Sequence, residues 1–389
     1  MKKNSVRFAW LALSVSAMLV SCSESTVNDE EVVSRRALVC VEQMIDGCIN
    51  ISGEVGSAKI GDPYSLMKEG KETEALYAVE SWYSWHSIED YANNIRSIRN
   101  TYYGSLDGSV ATYSLCRLMK EKNPQLDAKV CDAISGAVTA IESIPAPFRN
   151  HIDSPEAEAA MEACDVLSQC LEDLKGYLGR DMAVNTDALL APIVTNYVDA
   201  VVLPTYLALK EKNNRLYQQV VAFKNNPSDD AFKQCAEAWL EAREPWETSE
   251  AFLFGPVDAL GLDPNMDSWP LDQAAIIEIL TSGKFDNMNW NEGDSEDAIE
   301  RAQSVRGFHS LEFLIFKDGK ARSINGGSNQ GDDFANYDYT AQNAAAWGNY
   351  MVQIATLLAQ DATDLYNAWS NSFEGGSGYA EQFKSFNIR

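Results

Sequence analysis

Basic residues and histidines are scarce in this sequence, and their scarcity narrows what the chain can do. Against 57 Asp and Glu residues there are 31 Lys and Arg, for a formal net charge of −26. Because nucleic-acid phosphates attract Lys and Arg, this balance argues against nucleic acid as a partner. It suits solubility and the attraction of cations. The His-Glu-x-x-His pattern of zinc peptidases is missing. No Cys-x-x-Cys pair is present either, which disfavours a thiolate zinc site.

The apolar run at the N-terminus is too short for a membrane span. It covers Phe8 to Val20 after a basic start, whereas a span needs roughly 20 residues. The residues from Leu19 to Cys22 resemble a lipobox, so we expect a lipoprotein signal peptide at 1–22 and lipidation of Cys22. A plain secretory signal followed by an unrelated cysteine is the alternative.

The acidic segment at 23–35 is predicted to be a flexible tether. In some Gram-negative lineages, an acidic stretch after the lipid cysteine resembles a signal for export to the cell surface. We therefore expect a chain that is lipid-anchored to the outer membrane, on the periplasmic side or at the cell surface. Such a compartment is oxidising, and Cys116 and Cys131, which flank a polar turn, are the best candidates for a disulfide.

Helical spacing of apolar residues extends through nearly the whole chain, and no run alternates over several strands. The predicted fold class is therefore all-α. The part of the chain after the signal peptide, about 365 residues, is long enough for two domains, and we expect two packed helical bundles, at 36–195 and 196–389. The loop at 255–272 is predicted to be irregular, and the longer predicted helices include 73–103, 229–243, 295–316 and 339–370.

His309 and Glu312 are the first candidates for a functional site. They are three residues apart, so a helix places them on one face, and they lie on a stripe that is otherwise apolar. A buried carboxylate needs a hydrogen-bonding cation, a metal or a proton. The pair is therefore either a satisfied His–Glu pair in the core or part of a metal or catalytic site.

A second segment repeats this pattern. His86 and Glu89 follow an aromatic residue with the same His-Ser-aliphatic-Glu order as His309 and Glu312. On a predicted helix, Trp82 shares a face with His86 and Glu89. This face is either solvated, with a histidine packed on tryptophan, or it meets the His309 helix across a domain interface.

Three blocks of the sequence resemble conserved blocks of the imelysin family. Residues 307–314 resemble the Gly-x-His-x-x-Glu signature of that family, residues 238–258 its first block, and residues 263–272, with Trp-Pro-Leu-Asp, its second. The resemblance implies an all-helical extracytoplasmic protein of two bundles with a site at their interface. It also connects the chain to metallopeptidases and to iron uptake.

The order of the blocks differs from that of ordinary imelysins. Glu80, His86, Asp90 and residues 100–104 resemble a segment that ordinary members carry after the Gly-x-His-x-x-Glu block, yet here they come first. This order predicts a circular permutation, which chains tolerate when their termini lie close together at the surface. The spacing around His86 departs from the family pattern.

The resemblance and the residue types together give a set of candidate site residues. His309 and Glu312 supply two metal ligands from one turn, while catalytic zinc normally has three protein ligands and a water. Since carboxylates outnumber histidines and thiolates are absent, a divalent or ferric iron ion is a better fit than zinc. For catalysis we consider His309 together with Glu312 or Glu250 as general base. The remaining candidates are Glu80 and His86 as metal ligands, and Asp267, Trp269, Trp82 and Asp90 as ligand-binding residues.

Three functions are compatible with this sequence. The first is a lipid-anchored protein that binds iron, or a small iron-bearing ligand, as a partner in an iron-uptake system. The second is a metallopeptidase of the imelysin type, although the zinc pattern is incomplete. The third is a non-enzymatic surface interaction module whose His–Glu pair is structural.

Overall fold

The structure, a computed structural model, describes residues 36–181, 186–291, 293–326 and 337–388. Within these ranges nearly all of the regular secondary structure is helical, which confirms the predicted all-α class. The strand content of the same ranges is one antiparallel pair, Phe316–Lys317 with Lys320–Ala321. The predicted signal peptide and tether, including Cys22, lie outside the described residues and stay predictions.

The helices run in both halves of the chain. Those of the first half are Arg36–Glu54, Gly61–Lys68, Glu72–Ala78, Ser87–Tyr103, Leu115–Lys122, Pro124–Glu142 and Pro155–Asp181. Those of the second half are Asp187–Tyr197, Leu203–Asn225, Asp229–Glu247, Pro256–Leu260, Leu262–Met266, Gln273–Ser282, Glu296–Gln303, Gly307–Ile315, Ala344–Ser370 and Tyr379–Lys384. Two π-helical turns, Val55–Ile60 and Val198–Val202, and short 3₁₀ turns at Phe148–Asn150, Glu250–Phe252 and Phe285–Met288 complete the set.

Several helices begin at residues that cap their first turn. In each case a side-chain oxygen of the residue before the helix accepts a hydrogen bond from the backbone N–H three residues later. Each such cap contributes about 1 kcal/mol. The capping residues are Ser114, Asn123, Ser228, Asp272 and Ser295.

The helices pack in two neighbouring groups. In the first group Arg36–Glu54 packs on Pro155–Asp181, and Ser87–Tyr103 packs on Pro124–Glu142. In the second, Leu203–Asn225 lies between Ala344–Ser370 and Asp229–Glu247, with the short His309 helix against the latter two. The division into two domains after residue 195 stays a prediction.

The two groups meet closely around one glycine. A Cβ atom on Gly47 would lie 2.1 Å from the carbonyl oxygen of Ala251, so only glycine lets the first helix approach the Glu250–Phe252 turn. The helix Ser87–Tyr103 also packs against Asp229–Glu247. These two contacts bring residues of both halves of the chain to one buried region.

Two of the long helices were predicted wrongly, because the structure interrupts each of them. The predicted helix at 73–103 is interrupted between Ala78 and Ser87, where Ser81 and Trp85 have positive φ angles of 50° and 63°. The predicted helix at 295–316 is interrupted before Gly307, whose φ is 85°. A left-handed residue cannot continue a right-handed helix.

Other boundaries and one pairing also differ from the predictions. The predicted helix at 229–243 continues to Glu247, and the one at 339–370 begins at Ala344. The loop at 255–272 contains two short helices. The predicted disulfide is wrong, because Cys116 and Cys131 are both free, with their Sγ atoms 4.0 Å apart.

Candidate functional site

The His309 helix, Gly307–Ile315, is buried along its whole length. Its start depends on Gly307, since a Cβ atom there would lie 2.5 Å from the carbonyl oxygen of Met266. Two indole groups hold its backbone. Trp239 Nε1 donates a hydrogen bond to the carbonyl of Phe308, and Trp347 Nε1 donates to that of Leu314, each at 3.0 Å. The helix therefore presents its side chains in fixed positions.

His309 lies between two carboxylates. Its Nδ1 is 3.0 Å from Glu312 Oε2, and its Nε2 is 3.1 Å from Asp267 Oδ1. Burial and the nearby Arg243 charge lower the pKa of His309, but the hydrogen bonds to Asp267 and Glu312 outweigh them and raise the pKa to about 9. In this geometry both ring nitrogens face carboxylate oxygens, so the imidazole is oriented from both sides.

Glu312 is saturated by hydrogen bonds as well. Its Oε1 accepts from the backbone N–H groups of Tyr83 at 3.0 Å and Ser84 at 2.8 Å, and from the Ser84 hydroxyl at 2.7 Å. The turn between Ala78 and Ser87 is thus held against the His309 helix by one buried carboxylate. In this arrangement His309 and Glu312 connect two parts of the chain, and their role as metal ligands stays a prediction.

Arg243 is the fully buried cation at the centre of the site. It contacts Asp267 directly, lies 2.5 Å from a Glu247 oxygen, and has its Nε 3.8 Å from Asp90 Oδ2. Burial lowers the pKa of Arg243, but the charges of Asp267, Glu247 and Asp90 raise it well above its usual value. The guanidinium therefore stays charged and compensates the buried carboxylates around it.

Asp267 is oriented from three sides. Arg243 and His309 both face its Oδ1, and Trp246 Nε1 donates a hydrogen bond to its Oδ2 at 2.7 Å. Burial raises the pKa of Asp267, but the Arg243 charge and the His309 hydrogen bond lower it below its usual range. The predicted site residue Trp269 lies beside this group, with its ring centroid 4.8 Å from that of His309.

The second histidine segment reaches the same network through Asp90. His86 Nδ1 lies 2.9 Å from Asp90 Oδ1, and Asp90 in turn faces Arg243. The His86 side chain is 30% exposed. The two histidine segments therefore both reach Arg243, one through Asp90 and the other through Asp267, as the interface interpretation of the sequence suggests.

Three carboxylates form a cluster next to Arg243. One oxygen from each of Glu247, Glu250 and Asp267 lies within 4.8 Å of the others, and we call this group the carboxylate triad. Burial raises the pKa of Glu247 to about 8, even though Arg243 lowers it. Burial also raises the pKa of Glu250 well above its usual value, against the effect of Lys59. Burial thus favours the neutral form of both groups, whereas the ion pair with Arg243 favours the charged form of Glu247.

Lys59 lies at the edge of this region and is almost fully buried. Its Nζ is 3.0 Å from Glu80 Oε2 and 3.7 Å from Glu54 Oε1. The predicted site residue Glu80 is therefore paired with a lysine. The predicted site residue Trp82 packs on Arg149, whose guanidinium lies 3.6 Å from its ring centroid.

Sequence reasoning missed Arg243, Glu247 and Lys59. Arg243 and Glu247 are four residues apart on one helix, a spacing that pairs opposite charges. That signal was hidden because the helix was predicted to end at Arg243, with Pro245 following. Lys59 lies in a π-helical turn that has no sequence signature of its own.

The residues of the triad fit a hard cation. All of their ligand atoms are carboxylate oxygens, which suit calcium, magnesium, manganese and iron better than soft metals. In the described part of the chain, nothing donates a hydrogen bond to the Glu250 carboxylate, although the residue is only 8% exposed. A buried carboxylate in this situation has free lone pairs for a proton or a metal.

The fold and the site together define an all-helical protein with a buried Arg–His–carboxylate network that joins two His-Ser-x-Glu segments. The sequence model of the imelysin family, peptidase M75, matches residues 17–174 and 202–387. This chain belongs to the imelysin family.

Two relatives are similar to this chain. The crystal structure of an imelysin peptidase from Bacteroides ovatus is 58% identical and covers 74% of this chain and 83% of that one, with a TM-score of 0.73. The iron-regulated protein A of Synechococcus elongatus is 30% identical over 132 residues, which are 34% of this chain and 33% of that protein. This match thus spans about a third of the curated relative. The circular permutation stays a prediction.

Proposed function

We propose that this protein is an extracytoplasmic lipoprotein that binds iron at the carboxylate triad as part of an uptake system. The observation that supports the proposal most is the close approach of Glu247, Glu250 and Asp267 within 4.8 Å of one another. Oxygen ligands suit ferric and ferrous ions. Lipidation of Cys22 would hold the protein at the outer membrane, on the periplasmic side or at the cell surface.

In this proposal the neighbouring residues orient the triad. Trp246 and His309 donate hydrogen bonds to the two oxygens of Asp267, and each carboxylate oxygen has a second lone pair for a cation. His309 is therefore a positioning residue. Lys59 forms its ion pairs with Glu80 and Glu54 rather than with the triad.

Iron is proposed because of the ligand chemistry and one relative. The Synechococcus protein is named for its regulation by iron, which supports iron over other hard cations such as calcium or magnesium. Because burial raises the pKa of Glu247 and Glu250, a bound cation competes with protons at both groups. Binding should therefore release protons.

Metal content measured by mass spectrometry tests the proposal. The chain from Ser23 onward, purified without a histidine tag, is incubated anaerobically with ferrous iron, or with ferric iron or zinc, and then desalted. We expect the wild type to hold about one iron per chain more than Glu250→Gln does. Asp267→Asn should lose the same iron. The matched control is Glu244→Gln, on the same helix as Glu247 but exposed and paired with Lys212.

The comparison of variants separates the triad from the residues predicted by sequence. If His309→Ala loses iron while Glu250→Gln retains it, the ligands are His309 and Glu312 and the triad assignment is wrong. If no variant differs from the wild type and the wild type binds no iron, the protein is an interaction module without a metal.

A metallopeptidase is the second candidate function. It is favoured by the similarity to the imelysin peptidase from Bacteroides ovatus. Glu250 lies in the triad and would be the general base that activates a metal-bound water. Cleavage of a mixed peptide library that stops with a chelator and in Glu250→Gln supports this function, and iron binding without any cleavage excludes it.

A further inference from the structure

A second group of metal-ligating side chains lies away from Arg243, on the hairpin of helices Leu115–Lys122 and Pro124–Glu142. Cys116 is in the first turn of the first helix. Asp127 and Cys131 are four residues apart on the second helix and so face the same side. The Sγ atom of Cys131 lies 4.0 Å from Cys116 Sγ and 3.8 Å from Asp127 Oδ1.

These separations fit a tetrahedral zinc ion. With Zn–S bonds of about 2.3 Å and Zn–O bonds of about 2.0 Å, two sulfur ligands lie about 3.8 Å apart and a sulfur and an oxygen about 3.5 Å apart. The observed distances exceed these values by only a few tenths of an ångström. A disulfide would instead require the two sulfur atoms to approach to about 2 Å.

The surroundings of the cluster hold its ligands in place. Cys116 and Asp127 are buried, and Cys131 is half-buried, which leaves a path for an ion. The Tyr102 hydroxyl donates a hydrogen bond to Asp127 Oδ1 at 2.9 Å. Such outer hydrogen bonds orient carboxylate ligands in metal sites.

We propose that Cys116, Asp127 and Cys131 bind a zinc ion, with a water molecule as the fourth ligand. Two thiolates and one carboxylate favour zinc over the hard cations that suit the all-oxygen triad. The ion fastens the two helices of the hairpin together. The sequence did not reveal this site, because the ligands follow a Cys-x10-Asp-x3-Cys pattern in place of Cys-x-x-Cys.

Metal loading of the reduced protein tests the proposal. The chain from Ser23 onward is reduced, incubated with zinc or cobalt, and desalted. We expect about one zinc per chain in the wild type, and a sulfur-to-metal charge-transfer band in the cobalt form. Both should be lost in Cys116→Ser and in Cys131→Ser. Asp127→Asn keeps both thiols, and we expect it to weaken zinc retention at least tenfold.

Two controls make the result specific. Cys170→Ser removes a half-buried thiol on the helix Pro155–Asp181, outside this cluster, and should retain zinc. Glu250→Gln should also retain it, since that variant affects only the triad. Equal zinc in Cys116→Ser and the wild type would overturn the proposal. A reduced wild type that binds no zinc would also overturn it, and a Cys116–Cys131 disulfide found by peptide mapping after air oxidation would then explain why the two thiols lie close together.

Discussion

Glu312→Gln is the substitution that best tests the contact between the His309 helix and the turn between Ala78 and Ser87. Gln keeps the size of Glu312 and can still accept hydrogen bonds from Tyr83 and Ser84 through its amide oxygen. The other end of the amide is an NH₂ group, which would face the Nδ1–H of His309, now 3.0 Å from Glu312 Oε2. Two donors would then meet in a buried site, and His309 would lose one of its two carboxylate partners.

Two estimates give the size of the effect. Removing one partner of a buried ion pair costs about 3 to 5 kcal/mol. The rise in the pKa of His309 from 6.5 to about 9 corresponds to roughly 3 kcal/mol of favourable interaction, at 1.36 kcal/mol per pKa unit. Asp267 supplies part of that interaction and the amide oxygen retains some hydrogen bonds, so we expect a loss of about 2 to 4 kcal/mol near pH 6.

The pH dependence distinguishes this mechanism from a simple packing defect. Because the pKa of His309 is higher in the folded protein, its contribution is fully present below pH 6.5 and is lost as the pH rises through about 9. Without Glu312 the pKa of His309 should fall. The stability difference between wild type and Glu312→Gln should therefore be larger at pH 6 than at pH 9.5.

Urea unfolding followed by tryptophan fluorescence at both pH values measures the difference. With only three histidines in the chain, NMR titration of the imidazole protons also reports the pKa of His309 directly. Glu300→Gln, exposed on the preceding helix Glu296–Gln303, is the control and should change stability by less than about 0.5 kcal/mol. A loss below about 1 kcal/mol for Glu312→Gln, or the same loss at both pH values, would refute the reasoning.

The other predictions concern the approach of the two helix groups and the central cation. Gly47→Ala should destabilise the fold by about 1 to 3 kcal/mol, because its Cβ would lie 2.1 Å from the Ala251 carbonyl oxygen. Gly53→Ala, on the same helix with nothing within 4 Å, should be neutral or stabilising, and urea unfolding compares the two. Arg243→Met should cost about 3 to 5 kcal/mol in the same assay. It should also raise the pKa of His309 in NMR titrations, since the guanidinium charge lowers that pKa; an unchanged pKa would contradict this effect of the guanidinium charge.

The fold class followed from the sequence because helical spacing persists through most of the chain. The interruptions of the predicted helices could not be predicted from this spacing. The 4-3-4 spacing of the stripe that carries His309 and Glu312 continues across Gly307 even though that glycine has a positive φ, so periodicity alone joined two helices into one. Likewise, nothing in the identity of Ser81 or Trp85 indicates their left-handed backbone. Tertiary contacts decide such backbone conformations, and the close contact of Trp85 with Gly319 is an example, since it joins residues that are distant in the sequence.

Part of the candidate site was also accessible from the sequence. The motif blocks identified His309, Glu312, Asp267 and Glu250, which the structure brings into one region, and Asp90 joins them through Arg243. The sequence could not predict which polar groups pair with each buried carboxylate. Whether a buried carboxylate meets an arginine, a backbone N–H or another acid depends on tertiary packing, and that decides whether it is a structural group or a ligand.

The excess of acidic over basic side chains around Arg243 has a consequence for which ions can approach the carboxylate triad. Although burial lowers the pKa of Lys59, the charges of Glu80, Glu250, Glu54 and Glu247 raise it well above its usual value, and the chain as a whole is strongly negative. A bare metal cation is drawn inward by such a field, whereas an anionic chelate such as a ferric carboxylate complex is repelled by it. Capture should therefore slow as ionic strength rises. Under the proposed function, a cell that offers iron mainly as anionic chelates would need to strip the ion from the chelate before this protein could bind it.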